Sequence, residues 1–163
     1  MIHVLGSGGY IGNSLSSHFT TQKIEHNCID SRKKLESLNL IDSNEKQTLI
    51  WCAGKINPAT AENSIIAHTE LENFRCSLAE WNKKTNENSE IIFLSSGGCV
   101  YSSQQVNFNE EDEALGINSY GKIKVVQEKM IEDLGRPYKI LRISNVYGGK
   151  QPHGRGQGVI AEW

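Results

Sequence analysis

Apolar residues along the chain fall either into short continuous runs or into stretches with helical spacing. The first run extends from Ile2 to Leu5 and is closed by Gly6, after which Ile11, Leu15 and Phe19 recur every four positions. A short apolar run is typical of a buried strand, whereas a four-residue spacing is typical of an amphipathic helix. The chain therefore opens with a strand, a glycine turn and a helix.

The same alternation continues along most of the chain. Strands that alternate with helices of this length predict βαβ units, and hence an α/β fold with a doubly wound parallel sheet and helices on both faces. The pattern is weakest between Asp30 and Thr48, where it supports at most a short helix and a stunted strand. The further predicted strands are Glu25 to Asp30, Thr48 to Ala53, Ile91 to Leu94 and Lys139 to Ile143, and the further predicted helices are Ala67 to Trp81 and Tyr120 to Leu134.

Composition and charge fit one ordinary globular domain. The chain has 163 residues, of which 37% are hydrophobic and 22% charged, and its formal net charge is −2. We therefore expect residues 1–163 to form a single domain with its own core. A near-neutral charge argues against nucleic acid or an anionic membrane as the partner, and no apolar run approaches the roughly 20 residues that span a bilayer.

The cysteines and histidines do not suggest a metal site. The four cysteines are spread along the chain without a C-x-x-C pair, and the five histidines are scattered as well. We interpret the cysteines as reduced thiols of a cytoplasmic protein and predict no metal. Met1 is followed at once by the first strand, which leaves no room for a signal peptide.

The turn after the first strand predicts a site for the pyrophosphate of a dinucleotide. One glycine permits a tight turn, a second lets a phosphate approach the backbone, and a third lets the helix pack closely on the sheet. The amides at the helix N-terminus favour the phosphate charge. The strand before and the helix after distinguish this motif from ordinary turn chemistry. The candidate cofactor-binding residues of the turn are Gly6, Ser7, Gly8, Gly9, Tyr10, Ile11 and Gly12.

The end of the second predicted strand carries the residues that would choose between NAD and NADP. Asp30 lies about twenty residues after the turn, where a carboxylate accepts hydrogen bonds from the adenosine ribose; its structural alternative is a turn-initiating Asp. Arg32 and Lys33 follow, and a cation there could hold a 2′-phosphate instead. We assign Asp30, Ser31 and Arg32 to the cofactor site and favour NAD, with NADP as the alternative.

Tyr120 and Lys124 are the candidate catalytic pair. They lie four residues apart at the start of a predicted helix, so their side chains share a face. A tyrosine hydroxyl has an ordinary pKa near 10, but a neighbouring ammonium and an oxidised nicotinamide both favour the phenolate. Tyr120 could then accept a proton from a sugar hydroxyl while the carbon gives hydride to the cofactor. The structural alternative is a solvated Tyr and Lys on a helix surface.

Taken together, the motifs resemble one known group of enzymes. They are GSGGYIG after the first strand, CAG at 52–54, Asn73 in the next helix, SSGGCVY at 95–101, the Tyr120 and Lys124 pair, and LRISNVYG at 141–148. In this order they are similar to the NAD-dependent epimerase/dehydratase branch of the extended short-chain dehydrogenase/reductase superfamily. The resemblance implies a Rossmann fold, tightly held NAD or NADP, and nucleoside-diphosphate sugars as substrates.

The resemblance also implies roles for individual residues. It makes Tyr120, Lys124 and Ser96 catalytic, with Tyr120 and Lys124 also contacting the cofactor. It gives Glu128 a structural role. The remaining implied contacts are Cys52, Ala53, Gly54 and Ser95 for the cofactor, and Gly97, Gly98 and Asn145 for the substrate.

Two features depart from the family pattern. The serine or threonine that hydrogen-bonds the reacting hydroxyl is replaced by Gly97, with Ser96, Ser95 and Cys99 as possible substitutes. Family members run to about 300 residues, in line with a second domain that builds most of the sugar-nucleotide pocket. We therefore expect an N-terminal fragment of a longer enzyme that lacks this substrate portion and could form a homodimer. The competing hypothesis is a nucleotide-binding module without turnover.

Overall fold

A computed structural model describes residues 1–30, 45–101 and 107–148. Its five strands form one sheet in the order β2-β1-β3-β4-β5, and every neighbouring pair is parallel. The predicted strands are therefore confirmed, with shifts of a residue or two at their ends. The strands are β1 Ile2–Leu5, β2 His26–Ile29, β3 Thr48–Trp51, β4 Glu90–Ser96 and β5 Tyr138–Ile143.

The helices connect these strands as crossovers. The path from β1 to β2 runs across the sheet in the opposite direction from the paths β3 to β4 and β4 to β5. Because such crossovers are right-handed, the first helix covers one face and the later ones the other, which is the doubly wound Rossmann-like arrangement. The helices are α1 Tyr10–Thr21, α2 Ser64–Lys84, α3 Gly97–Val100 and α4 Ser119–Glu132, with a 3₁₀ turn at Thr60–Glu62.

The short helix α3 and the 3₁₀ turn were not predicted, because neither is long enough to show an apolar period. The expected short helix and stunted strand between Asp30 and Thr48 fall largely on residues 31–44, which lie outside the described residues.

The main core lies between the sheet and the helices α2 and α4. Strand residues that point to this face meet aromatic residues of α2: the Trp51 and Phe74 rings are 4.4 Å apart, and the Phe74 and Phe93 rings 5.4 Å apart. Each such side chain gains roughly 1.5–3 kcal/mol when it is fully buried. This packing holds α2 and α4 against the centre of the sheet. The buried cluster consists of Leu5, Ile29, Leu49, Trp51, Phe74, Leu78, Trp81, Ile91, Phe93 and Ile131.

Strand β5 forms an open edge of the described sheet. Tyr138 is 43% exposed and Leu141 is 44% exposed, and a groove of about 750 Å³ runs along this strand.

Of the helices that the structure describes, none combines the length and the apolar composition needed to cross a membrane.

Candidate functional site

The carboxyl ends of all five parallel strands lie at one edge of the sheet. Gly6 follows β1, Asp30 follows β2 and Cys52 follows β3, while Ser96 ends β4 and Asn145 lies two residues after β5. The crossovers leave β1 and β3 in opposite directions, so a crevice opens between their ends, where open α/β sheets bind ligands. The fold thus brings candidate residues from every strand to the same edge.

The glycine turn is packed tightly on its inner side. Gly6 has φ 89°, and a Cβ atom there would lie 2.8 Å from the backbone nitrogen of Ala53. A Cβ atom on Gly12 would overlap the carbonyl oxygen of Gly6. These two glycines therefore let the turn contact the loop after β3 and let α1 contact the turn.

The outer side of the same turn is open. A Cβ atom on Gly8 would meet no described atom within 4 Å, and one on Gly9 would meet only the Gly6 carbonyl oxygen, at 3.2 Å. No described side chain caps the N-terminus of α1, whose N-cap residue is Gly9. Uncapped amides beside an open backbone surface fit the phosphate groups of a dinucleotide.

The turn is also tied to the ends of the neighbouring strands. The Ile29 carbonyl oxygen accepts hydrogen bonds from the amides of Gly6 and Ser7, at 2.8 and 3.2 Å, which brings Asp30 next to the turn. The Tyr10 hydroxyl lies 3.3 Å from the position of a Cβ atom on Gly148, after β5. Ser31 and Arg32, which were also predicted to contact the cofactor, lie outside the described residues.

The loop after β3 forms the next wall of the crevice. The Cys52 amide donates to the Leu5 carbonyl oxygen at 2.9 Å, so Cys52, Ala53 and Gly54 run beside the glycine turn. Burial raises the pKa of the Cys52 thiol to about 12, and the thiol is therefore neutral. The loop can offer a ligand its backbone and small side chains, but no charge at Cys52.

Helix α4 begins directly against α3, and this contact positions Tyr120. Asn118 caps α4 by accepting a hydrogen bond from the Gly121 amide at 2.8 Å, and its side-chain amide lies 3.6 Å from the Cys99 sulfur. A Cβ atom on Gly121 would overlap the Cys99 carbonyl oxygen. Tyr120 therefore lies close to Cys99 of α3, the short helix that follows β4.

Lys124 reaches from α4 to β4 through the protein interior. Its ammonium donates to the Leu94 carbonyl oxygen at 3.3 Å and lies 4.6 Å from the centre of the Phe93 ring. The same nitrogen is 5.8 Å from the centre of the Tyr120 ring, so the two residues share a face as predicted. Lys124 is only 6% exposed.

Burial governs the protonation of both residues. It lowers the pKa of Lys124 to about 8, although the carboxylates of Glu70 and Glu128 partly oppose this change. Burial also raises the pKa of Tyr120, and the charges of Cys99 and Glu70 act in the same direction. A neighbouring ammonium and an oxidised nicotinamide favour the phenolate, but the loss of water opposes it, so the favoured form of Tyr120 in this structure is the neutral phenol.

The end of β4 separates the candidate hydroxyl groups. Ser95 is 3% exposed and donates a short hydrogen bond to Glu128, whereas the next residue of the strand, Ser96, points to the opposite face. A Cβ atom on Gly97 would lie 2.9 Å from the Arg142 carbonyl oxygen, while one on Gly98 would meet no described atom within 4 Å. The hydroxyl of Ser95 is thus engaged, and position 97 has no room for a side chain.

Glu128 holds together the elements that carry the site. Its carboxylate pairs with the Arg142 guanidinium at 2.8 Å and accepts from Ser95, and Arg142 also donates to the Tyr101 hydroxyl at 2.8 Å. The Tyr101 ring stacks on Phe108 with the centres 4.9 Å apart. These partners raise the pKa of Arg142, so its guanidinium stays charged. The network joins β4, α4 and β5 and supports the structural role inferred for Glu128.

Several site residues had no role in the sequence analysis. Asn118 caps α4, and an Asn directly before a helical pattern is a local signal that could have identified it. Arg142 lies within the motif at 141–148, but its contacts with Glu128 and Tyr101 arise only through tertiary packing. Among the described residues, no group of three His, Cys, Asp or Glu side chains is arranged to hold a metal ion.

Comparisons with known proteins agree with this architecture. A family model described as RmlD substrate binding domain matches residues 1–157. The chain is 32% identical over 152 residues to dTDP-4-dehydro-6-deoxyglucose reductase of Escherichia coli, an alignment that covers 90% of this chain and 47% of that enzyme. These matches confirm the resemblance that the motifs indicated. The chain spans about half the length of the curated relatives it matches.

Solved structures show the same fold. UDP-glucose 4-epimerase of Thermotoga maritima, crystallised with UDP-glucose, superposes with a TM-score of 0.78 at 20% identity and covers 98% of this chain and 60% of its own. dTDP-4-dehydrorhamnose reductase of Bacillus anthracis str. Ames, in complex with NADP, superposes with a TM-score of 0.72 at 17% identity. The superposition covers 91% of this chain and 55% of that enzyme. At such identities the likeness concerns the fold alone.

Proposed function

This chain belongs to the RmlD substrate binding domain family, and from that membership we propose that it is the cofactor-binding half of a nucleotide-sugar reductase, epimerase or dehydratase. The observation that carries the proposal is the open glycine turn at the same sheet edge as Tyr120 and Lys124. The proposed cofactor is NAD, with NADP as the alternative, and the proposed substrate is a nucleoside-diphosphate sugar. The single-domain organisation and the cytoplasmic location stay predictions.

The residues of this chain fit the proposed cofactor. The uncapped amides of α1 and the open side of Gly8 would hold the pyrophosphate, and Asp30 would accept from the adenosine ribose. Cys52, Ala53 and Gly54 would lie along the cofactor, and Lys124 would hold the nicotinamide ribose. The bound dinucleotide supplies the chemistry of hydride transfer.

Tyr120 is proposed to move the proton of the sugar hydroxyl. In a reduction, its neutral phenol donates the proton to the carbonyl oxygen; in an oxidation, the phenolate accepts the proton. Lys124 stabilises the phenolate through its charge, and Ser96 is the proposed hydrogen-bond partner of the reacting oxygen. Gly97, Gly98 and Asn145 are proposed to line the sugar side of the crevice.

The cofactor proposal is tested by calorimetry of the whole chain with NAD and NADP. Gly8→Val places a side chain on the open face of the turn, where it meets no described atom, so the fold should persist while dinucleotide binding is lost. Ser17→Val introduces the same side chain on an exposed face of α1 and serves as the control. Equal affinity in all three proteins would contradict the proposal, and a preference for NADP would favour Arg32 over Asp30.

A second candidate is a nucleotide-binding module without turnover. The observation in its favour is Gly97, since the Arg142 carbonyl oxygen leaves no room there for the family's hydroxyl side chain. This candidate would be supported over the enzyme if the chain binds a dinucleotide but replacement of Tyr120 has no effect on turnover.

A further inference from the structure

The segment that leads into α4 is tied to α3 through its backbone. The Gly116 amide donates to the Val100 carbonyl oxygen at 2.8 Å. The Ile117 amide donates to the Cys99 carbonyl oxygen at 2.9 Å. Both acceptors belong to α3, so α4 begins at a fixed place beside this short helix. Asn118 is the residue that lies between the tied segment and the first turn of α4.

The half-buried Asn118 side chain uses both of its polar atoms at this junction. Its oxygen accepts from the Gly121 amide at 2.8 Å, which is the capping bond of α4. Its nitrogen donates to the Cys99 sulfur, with the two atoms 3.6 Å apart. Asn, Asp and Ser cap helices about equally well, but of the three only Asn carries an amide NH₂ group. The contact with sulfur therefore goes beyond what capping requires.

Of the proposed catalytic pair, only Tyr120 depends on this cap. Tyr120 lies in the first turn of α4, two residues after Asn118, whereas Lys124 lies one turn later. The first turn is the part of a helix whose amides lose their partner when the cap is removed. Lys124 has anchors of its own, because its ammonium donates to the Leu94 carbonyl oxygen at 3.3 Å and lies over the Phe93 ring.

We propose that Asn118 is a positioning residue of the candidate site, which holds the turn that carries Tyr120 with its side-chain oxygen and the Cys99 thiol with its side-chain nitrogen. The inference rests on the proposed function for its consequence in catalysis. Because the sulfur accepts from Asn118, the thiol proton points elsewhere, and a thiol is a weak donor. Cys99 is thereby oriented close to Tyr120, two residues after Gly97, where no side chain fits.

The capping contact is tested through the Tyr120 phenol. In Asn118→Ala the first turn should fray and admit water. Since burial raises the pKa of Tyr120, that pKa should fall toward the ordinary value near 10. Asn118→Asp keeps a capping oxygen, and its charge also opposes the phenolate, so the pKa should stay raised. Ultraviolet absorbance measures the titration in the whole chain, with Tyr120→Phe added to each protein as the reference.

The contact with sulfur is tested through the rate at which iodoacetamide alkylates Cys99, followed by mass spectrometry of the peptide. The thiolate is the reactive form of cysteine. Asn118→Asp replaces a donor to the sulfur with a negative charge, so alkylation should slow about tenfold. Cys28 and Cys76 are exposed thiols of the same chain and serve as internal references, whose rates should not change.

The matched control is Asn63→Ala, which removes the cap of α2. The Asn63 oxygen accepts from the amides of Ile65 and Ile66 at 3.0 and 3.2 Å. This variant should leave the pKa of Tyr120 and the alkylation of Cys99 as in the wild type. Equal effects of Asn63→Ala and Asn118→Ala would overturn the inference, as would an unchanged Tyr120 pKa in a folded Asn118→Ala. Alkylation of Asn118→Asp at the wild-type rate would overturn it even if Asn118→Ala did not fold.

Calorimetry with NAD and NADP separates this inference from the proposed function. Asn118→Ala should bind dinucleotide as the wild type does, because the glycine turn and Lys124 keep their places. A loss of affinity in this variant would show that the whole site is disturbed, and would overturn the selective role of Asn118. If Tyr120 and Cys99 respond as expected but neither dinucleotide binds to the wild type, the role of Asn118 stands and the proposed function fails.

Discussion

At the end of β4, single contacts decide which side chain is available to hydrogen-bond the reacting oxygen. The β-carbon that Gly97 lacks would lie 2.9 Å from the Arg142 carbonyl oxygen, so a hydroxyl could be restored there only if β5 moved. Ser95 is already bonded to Glu128. Because neighbouring strand residues point to opposite faces, Ser96 lies away from that network. Ser96 is therefore the first substitute to test, with Cys99 beside Tyr120 as the second.

The catalytic assignment is tested at these residues, in an enzyme that carries this half together with a substrate-binding half. Tyr120→Phe removes one oxygen and should lower turnover roughly 10²- to 10⁴-fold, because the proton-transfer group is lost. Affinity for NAD should stay the same, whereas Lys124→Met should reduce both turnover and affinity. Steady-state kinetics and calorimetry measure the two effects.

Ser96→Ala identifies the hydrogen-bond partner of the reacting oxygen. A loss of turnover comparable to that of Tyr120→Phe would assign the role to Ser96, and no loss would pass it to Cys99 or water. Full turnover of Tyr120→Phe on a nucleotide sugar would instead exclude Tyr120 as the base and favour the binding module.

At the scale of elements, one arginine caps the C-terminal end of α2 through hydrogen bonds. Arg136 lies between α4 and β5, and its guanidinium donates to the carbonyl oxygens of Asn82, Thr85 and Asn86 at 2.6 to 3.2 Å. The last carbonyl groups of a helix lack partners within the helix, and a cation there also interacts favourably with the helix dipole. Arg136 thus joins the two loops at the end of the sheet opposite the candidate site.

We expect Arg136→Met to destabilise the protein by about 1–3 kcal/mol, because the partly buried carbonyl groups of Thr85 and Asn86 lose a charged donor. Arg136→Lys should restore only part of this stability, since an ammonium cannot reproduce the planar fork of donors. Urea unfolding measures the free energy of unfolding, with Arg75→Met on the exposed face of α2 as the control. A loss no larger than that of the control would contradict the capping role.

At the scale of the whole molecule, the edge at β5 offers an exposed apolar surface for association. Tyr138 and Leu141 are each more than 40% exposed on this strand, and an exposed strand edge can pair with another chain. We expect the isolated chain to self-associate as its concentration rises. Leu141→Lys should reduce this association, because a charged side chain blunts an edge strand.

Sedimentation velocity over a range of concentrations measures the association. Val126→Lys is the matched control, since Val126 is an apolar residue with 41% exposure on α4. An equal effect of the two substitutions would show that association is not specific to the β5 edge. A monomer at all concentrations would mean that the exposed edge does not drive association.

The sequence by itself determined the elements and the glycine turn between β1 and α1. Apolar spacing located all five described strands and the three long helices, because periodicity depends on residues close together in the chain. The glycine turn was predictable for the same reason: its strand, turn and helix are consecutive. Pairing Tyr120 with Lys124 needed only the four-residue repeat of a helix.

Tertiary structure alone decided which groups meet across the chain and how they are charged. Ser95 meets Glu128, 33 residues away, and Lys124 meets the Leu94 carbonyl oxygen, 30 residues away. No local pattern records these contacts, nor the loss of water that raises the pKa of Tyr120 and lowers that of Lys124.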